Sequence, residues 1–284
     1  MGYIDLHVHS NASDGTCTPE ELVDLAIEKK LSAFALTDHD TVDGLSSALA
    51  YAMTKNIEVI PGIELSTDYN GKDIHIVGLF IQHHNPQFRD KLKEFCDSRE
   101  IRNKKMAQAL TDAGFPVNYQ ELVDQNPCAT VTRAHFARYM LEHGYIKTLK
   151  EAFEKYIGDD CPYYVPREKV TPEDGVRLIL SAGGVPILAH PLLYHMNEEE
   201  LTALIVPLKK VGLVGIEALY PGHSEMEESM VRRLARKNDL LISGGSDFHG
   251  GNKPGLELGT GYGGLKVPYE LLSPLRRYAY NIMM

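Results

Sequence analysis

Two histidines near the start of the chain have the spacing of a metal site. His7 and His9 lie in the apolar stretch 4–10, which is predicted to be a β-strand, and Asp14 follows shortly afterwards. Successive strand side chains alternate between two faces, so both imidazoles point the same way. Neutral imidazole is a common metal ligand. Two surface histidines would fit this stretch equally well. The choice between metal ligands and surface residues therefore depends on the rest of the sequence.

Residues of the same chemistry follow other predicted strands. Strands predicted at 32–37, 58–64, 184–189 and 240–245 end at His39, Glu64, His190, Asp247 and His249. His75 is the exception, because it lies early in a strand at 73–80, which we expect to run antiparallel or to bend locally. Metal ligands from six separate segments are not expected to meet at strand ends by accident.

The elements between these strands are predicted to be helices. Thr18 to Glu21 and Thr171 to Asp174 have the pattern of helix N-termini, and apolar residues then recur at helical spacing. Unbroken apolar strands that alternate with amphipathic helices indicate a parallel sheet with its outer side covered. In a (β/α) barrel the active site lies at the carboxyl ends of the strands, where these ligand types occur.

One segment breaks the alternation. Between residues 86 and 160 the periodicity predicts helices at 88–113, 119–124, 133–143 and 149–156, with little strand signal. We therefore expect a discontinuous barrel domain at 1–85 and 161–284, and a small all-α insertion at 86–160. The first of these helices is long enough to start on the barrel and continue into the insertion.

The ligand types indicate the class of metal. Imidazole combined with carboxylate suits Zn, Mn or Fe better than Ca. Nine ligands exceed the needs of one ion, so two or three ions that share bridging carboxylates are expected. Glu64 and Asp247 are the natural bridges.

Composition narrows the remaining possibilities. The net charge of −10 argues against broad electrostatic capture of nucleic acid. The four cysteines are scattered and form no C-x-x-C pair, a pattern that fits a reducing cytosol. With no apolar run of membrane length and no secretory signal pattern, we expect a cytoplasmic protein that makes no membrane contact.

Five ordered motifs together resemble the PHP (polymerase and histidinol phosphatase) family. They are Asp5 to Ser10 with Asp14, Thr37 to Asp40, Gly62 to Glu64, Ala189 to Pro191, and Ser246 to His249. The helical insertion after the His75 strand most resembles the stand-alone phosphoesterases of this family. These include nucleoside 3′,5′-bisphosphate phosphatases and exoribonucleases that trim short RNA from its 5′ end.

The resemblance implies a distorted, TIM-like (β/α)7 barrel with a trinuclear site. Residue by residue, it assigns His7, His9, Glu64 and Asp247 to one ion, Glu64, His75 and His190 to a second, and Asp14, His39 and His249 to a third. The ions of the family are Mn, Fe, Zn or Mg. A water that bridges two cations loses a proton near neutral pH and attacks the phosphate ester. The catalytic residues would then be His7, His9, Glu64, His190 and Asp247.

Contacts to substrate phosphate are predicted at four positions. Arg133 and His135 lie where relatives present cations to phosphate, and the Arg fork suits bidentate contacts. His223 lies at a helix start, where an anion is favoured, and Arg167 occupies a position where relatives often place a cation. His195 is a weaker candidate in the loop after His190. Each of these residues also fits a purely structural or surface role. Three other histidines, His83, His84 and His143, are interpreted as surface residues only.

Two alternatives remain beside a nucleotide phosphoesterase. One is a histidinol-phosphate phosphatase, a branch that generally lacks this insertion. The other is a non-catalytic metal-binding module, although such modules usually lack several of the ligands that are present here. The insertion carries equal numbers of basic and acidic residues and no aromatic-rich basic groove for a long single strand. We therefore expect a short substrate, from a bisphosphorylated mononucleotide to a few nucleotides.

Overall fold

A mixed β-sheet forms the frame of the molecule. The computed structural model describes residues 2–127, 129–166 and 170–283. In this part of the chain eight strands form one sheet: β1 (Tyr3–Val8), β2 (Leu31–Leu36), β3 (Glu58–Tyr69), β4 (Lys72–Leu79), β5 (Val185–Leu188), β6 (Gly215–Leu219), β7 (Leu241–Gly244) and β8 (Val267–Pro268). Their order is β7-β6-β5-β4-β3-β2-β1-β8. Phe248, just after β7, also bridges Val8, so the sheet nearly closes into the expected barrel.

Helices cover this frame. The described residues form α1 (Pro19–Glu28), α2 (Leu45–Ala52), α3 (Pro86–Asp112), α4 (Tyr119–Gln125), α5 (Arg133–Glu142), α6 (Leu149–Lys155), α7 (Pro172–Ser181), α8 (Glu198–Lys210), α9 (Glu225–Lys237) and α10 (Leu272–Met283). The predicted N-caps Thr18 and Thr171 both complete a reciprocal capping box. Buried apolar side chains of α1, α2, α7, α8 and α9 form one cluster against the sheet.

Strand direction departs from that of a purely parallel sheet at two strands, β4 and β8. The pairs β1–β2, β2–β3, β5–β6 and β6–β7 are parallel. The pairs β3–β4, β4–β5 and β1–β8 are antiparallel. β4 reverses because Asn70 and Gly71 form a tight turn with φ of 55° and 82°, which leaves no length for a crossover. Two-residue β8 is too short to have a sequence pattern.

The reversal of β4 explains the unusual position of His75. In an antiparallel hairpin the beginning of the second strand lies beside the end of the first. His75 is opposite Ser66 on β3, and Glu64 is opposite Val77. The antiparallel possibility for this strand is therefore confirmed, and His75 reaches the same end of the barrel as the residues that follow the parallel strands.

The helical segment has a core of its own. The first half of α3 places Phe88 and Phe95 in the cluster against the sheet. Its second half places Met106 and Leu110 in a separate cluster with Phe136 of α5. α3 thus starts on the barrel and continues into the helical segment, as expected. The boundaries at residues 86 and 160 stay a prediction.

Among the described residues, no helix has the combination of length and apolar character that a membrane span requires.

Candidate metal centre

Glu64 is the centre of a buried group of imidazoles. Its Oε2 lies 3.1 Å from Nε2 of both His7 and His9, and 3.2 Å from Nδ1 of His39. Its Oε1 lies 2.9 Å from Nδ1 of His75 and 3.0 Å from Nε2 of His190. Five imidazoles from four segments of the chain therefore meet at one carboxylate, which is itself fully buried.

Two further carboxylates extend this group along the barrel mouth. Asp247 Oδ1 lies 3.3 Å from His9 Nε2 and 3.6 Å from His7 Nε2. His249 joins both acids, with Nε2 3.2 Å from Asp14 Oδ1 and Nδ1 3.4 Å from Asp247 Oδ1. All nine predicted ligands are thus brought together, and we call them the strand-end set: His7, His9, Asp14, His39, Glu64, His75, His190, Asp247 and His249.

The strand-end set fits bound cations. Within the described residues, three overlapping groups place their ligand atoms within 4.8 Å of one another: His7, His9, Glu64 and Asp247; His9, Asp14, His39 and His249; and His39, Glu64 and His75. Buried atoms of these residues, among them His7 Nε2, His9 Nε2 and Glu64 Oε2, have no hydrogen-bond partner in the described chain. Buried polar atoms are normally satisfied, so these atoms are suited to act as ligands of a bound cation.

The three groups agree only partly with the ligand sets implied by resemblance. The first group is the same. In the second, His9 joins Asp14, His39 and His249, so one imidazole lies between two groups. His190 belongs to none of the three, although its Nε2 contacts Glu64. The assignment of individual residues to individual ions therefore stays a prediction.

Burial and neighbouring charges strongly shift the pKa values of several residues in the strand-end set. Burial would raise the pKa of Glu64, but the neighbouring His7, His39 and His75 hold that pKa well below its usual range. Burial lowers the pKa of His39 to about 3. For His75 burial acts in the same direction, yet Glu64 and Asp73 raise its pKa to about 10. Because metals bind the neutral imidazole, a cation bound by His75 would displace a proton from it.

A second layer of contacts fixes the ligands. Glu217, on β6, accepts from Nδ1 of His7 at 3.2 Å and from the backbone N–H of His190 at 2.8 Å. An Nδ1–H donated to this carboxylate leaves Nε2 of His7 as the metal-binding nitrogen. Tyr220 donates to Asp247 Oδ2 at 2.7 Å, and the Nζ of Lys253 lies 2.5 Å from the same oxygen. The sequence reasoning missed Glu217, whose signal was only a carboxylate inside an otherwise apolar strand.

The backbone turns that carry the ligands are conformationally unusual. His190 and Asp247 have positive φ values of 21° and 53°, and Asp40, next to His39, has 50°. Non-glycine residues adopt this region at a cost of about 1–3 kcal/mol, which tends to be tolerated at functional sites. Hydrogen bonds from Arg99 to Asp40 and from Tyr220 to Asp247 help to hold two of these turns.

A cavity of about 830 Å³ opens over the strand-end set. Seven of the nine residues of the set line it: Asp14, His39, Glu64, His75, His190, Asp247 and His249. Its other walls include the cations Arg133, Lys150 and Lys253. This volume is within the usual range for small-molecule pockets. The arrangement places buried acids and imidazoles at the bottom and cationic side chains beside them.

Among the described residues, Arg133 is the predicted phosphate contact that lines this cavity. Its guanidinium donates to Asp73 at 3.0 Å, to Asp159 at 2.6 Å and to the carbonyl of Ile157 at 3.2 Å. Three of its five N–H donors are thus engaged by described residues. The two acids fix the guanidinium beside the strand-end set.

The other predicted phosphate contacts are placed differently. His135 is 6 % exposed, and its Nδ1 accepts from the backbone N–H of Thr132, so it caps α5. His223 faces the carbonyl of Ala218 through Nδ1. Neither is among the described residues that line the cavity. His195 is exposed after a short 3₁₀ helix, and Arg167 lies outside the described residues.

Comparison with known proteins identifies relatives of the same chemistry. A model of the PHP domain matches residues 5–159. A 5′-3′ exoribonuclease of Haemophilus influenzae is 38 % identical over 86 % of this chain and 89 % of its own length. A 3′,5′-nucleoside bisphosphate phosphatase of Chromobacterium violaceum is 34 % identical over 91 % of both chains. The solved structure of a metal-dependent phosphoesterase from Bifidobacterium adolescentis is similar with a TM-score of 0.81 and 26 % identity, over 97 % of this chain and 96 % of that one.

Proposed function

The chain belongs to the PHP domain family, and from that premise we propose that it hydrolyses phosphate esters of nucleotides or short oligonucleotides. It is a metal-dependent phosphoester hydrolase, as its relatives are phosphatases and exoribonucleases. The substrate class we propose runs from a nucleoside 3′,5′-bisphosphate to a 5′-phosphorylated RNA of a few nucleotides.

The observation that carries this proposal is the convergence of the strand-end set at the bottom of one cavity. Buried ligand atoms without hydrogen-bond partners lie beside fixed cations in that cavity. A non-catalytic module has no need for a complete ligand set that opens into a pocket of small-molecule size. The same residues support divalent cations, and we propose two or three ions drawn from Mn, Fe, Zn and Mg.

The bound cations would supply an activated water near neutral pH and neutralise charge on the phosphoryl oxygens. The chain's own residues position these partners. Glu64 and Asp247 gather the imidazoles, and Glu217 orients His7. We propose that the two remaining N–H donors of Arg133 contact a phosphate oxygen, held in place by Asp73 and Asp159.

A substrate panel tests the proposal. Mn-loaded protein is assayed with adenosine 3′,5′-bisphosphate, AMP, histidinol phosphate and a 5′-phosphorylated short RNA. We expect release of phosphate from the bisphosphate, or of mononucleotides from the RNA, with histidinol phosphate a poor substrate. Hydrolysis of histidinol phosphate alone would contradict the nucleotide proposal. Hydrolysis of none of the four by protein with full metal content would contradict the enzyme proposal.

A further inference from the structure

The rim of the cavity has a chemistry that the metal centre does not use. Three large apolar side chains line the cavity and remain exposed: Phe153 at 39 %, Leu193 at 49 % and Tyr262 at 66 %. We call these three residues the apolar rim. Large exposed apolar groups beside a charged pocket indicate a contact with a ligand that has an apolar face.

Tyr262 is presented by a rigid turn. Glu257 and Gly261 exchange two backbone hydrogen bonds of 2.8 and 2.9 Å. The backbone N–H of Gly259 donates to the buried carboxylate of Asp5 at 2.8 Å, which ties the turn to β1. The turn needs glycine, since Gly261 has φ of 56°. An exposed aromatic ring on an anchored turn is arranged for binding, because little freedom is left to lose when a partner stacks on it.

Phe153 and Leu193 are also held on ordered elements. Phe153 lies on α6, whose Ala152 is fully buried in the helical cluster and whose N-cap Thr148 accepts from Glu151 N–H. Leu193 precedes Tyr194, which is buried and donates its hydroxyl to the carbonyl of Ala189 at 2.7 Å. The apolar rim therefore comes from three separate segments that the fold fixes around one opening.

The ligand that fits this arrangement has a flat apolar group joined to a phosphate. The phosphate of the proposed substrate would bind at the bottom of the cavity, where the strand-end set and Arg133 lie. A nucleobase has a π-face that stacks on aromatic rings, and it is connected to phosphate through a sugar. We propose that Phe153 and Tyr262, with Leu193 beside them, form a subsite for the nucleobase of the substrate. This inference rests on the proposed nucleotide substrate and adds the residues that recognise its base.

Base-containing and base-free ligands test the subsite. The steady-state comparison uses adenosine 3′,5′-bisphosphate and the corresponding ribose bisphosphate with hydrogen in place of the base. Stacking on one aromatic residue is worth roughly 5- to 150-fold in affinity. We expect Phe153→Ala with Tyr262→Ala to raise KM for the nucleotide in this range, with little change in kcat and no change for the base-free compound. Tyr262→Phe should retain the wild-type KM.

A matched control and a binding readout complete the test. Tyr280, 64 % exposed on α10, has an aromatic ring that does not line the cavity among the described residues, so Tyr280→Ala should leave KM unchanged. Calorimetric titration with AMP and with ribose 5-phosphate measures base-dependent binding directly, and a phosphate assay on the same samples shows whether either compound is hydrolysed. One outcome separates the two proposals: wild-type protein binds AMP more tightly than ribose 5-phosphate, the rim variant does not, and no substrate is hydrolysed. This result would support the subsite and contradict the proposed function.

Three results would overturn the subsite itself. Wild-type protein could bind and hydrolyse the base-free compounds as well as the nucleotides. The rim variants could weaken base-free and base-containing ligands equally, which would assign the rim a structural role. They could also change the oligomeric state in gel filtration without changing KM, which would assign the rim to contacts between copies of the chain.

Discussion

The bottom and the helical wall of the cavity are built in opposite ways. The strand-end set lies on the strands and on the turns that follow them at the barrel mouth, and eight of its nine residues are at most 7 % exposed. The helical wall carries Arg133, Lys150 and Phe153 on longer side chains, and Phe153 is 39 % exposed. The difference indicates a division of labour, in which a preorganised centre sets the reaction and a more open wall sets what binds.

Metal removal should separate these two parts most strongly. Chelation followed by desalting is expected to abolish hydrolysis, and added Mn should restore it. Cations held at about 100 times their dissociation constant stabilise a protein by about 2.7 kcal/mol. For a chain of this size that corresponds to a fall in Tm of about 5 °C on removal. Thermal denaturation with metal analysis checks this; an unchanged Tm in protein shown to be metal-free would contradict the assignment.

Substitutions in the strand-end set come next. His7→Ala and Asp247→Ala each remove a ligand that contacts the others, so kcat should fall by about 10³-fold or more. The metal content per chain should fall as well. His84 is an exposed histidine, and His84→Ala is the matched control that should leave both quantities unchanged. Full activity of His7→Ala or Asp247→Ala would rule out the proposed metal centre.

Glu217 tests how far the bottom of the cavity depends on its supports. In Glu217→Gln the amide oxygen can still accept from the backbone of His190, but it is a weaker acceptor for His7 than a carboxylate. We expect metal affinity, measured by competition with a chelating dye, to fall by about 10- to 100-fold. Glu225→Gln, at the exposed start of α9, is the control. Unaltered metal affinity in Glu217→Gln would show that His7 needs no such partner.

Arg133 should have the smallest effect and a different kinetic signature. Arg133→Ala removes the proposed phosphate contact and none of the candidate metal ligands, so KM should rise by about 10-fold while metal content stays constant. Arg232→Ala removes an Arg–Glu pair on α9 and controls for general loss of charge. The comparison between bottom and wall fails if Arg133→Ala lowers kcat or metal content and leaves KM unchanged.

The bottom of the cavity was largely predictable because its ligands follow local rules. Strand alternation aligned His7 with His9, and barrel geometry brought the other strand ends together. Thr18 and Thr171 matched known capping patterns and cap their helices as predicted.

The wall was less predictable because its contacts join distant residues. Asp73 is 60 positions from Arg133, and no local pattern indicates that the two form an ion pair. His135 occupies the N3 position of a capping box, where Glu or Gln is usual, so its role as a cap had no familiar signature. Glu217 acts on His7 across 210 positions and was missed for the same reason.

The contact between β1 and the residues just after β7 determines when the strand-end set can be completed during synthesis. Asp5 accepts from the backbone N–H of Ser246 across 241 positions, beside the ligands His7 and Asp247. A growing chain carries its first histidines long before the segment with the last acid and histidine leaves the ribosome. Contacts of such sequence separation form late in folding. We therefore expect the strand-end set to be completed only after the residues that follow β7 have joined β1.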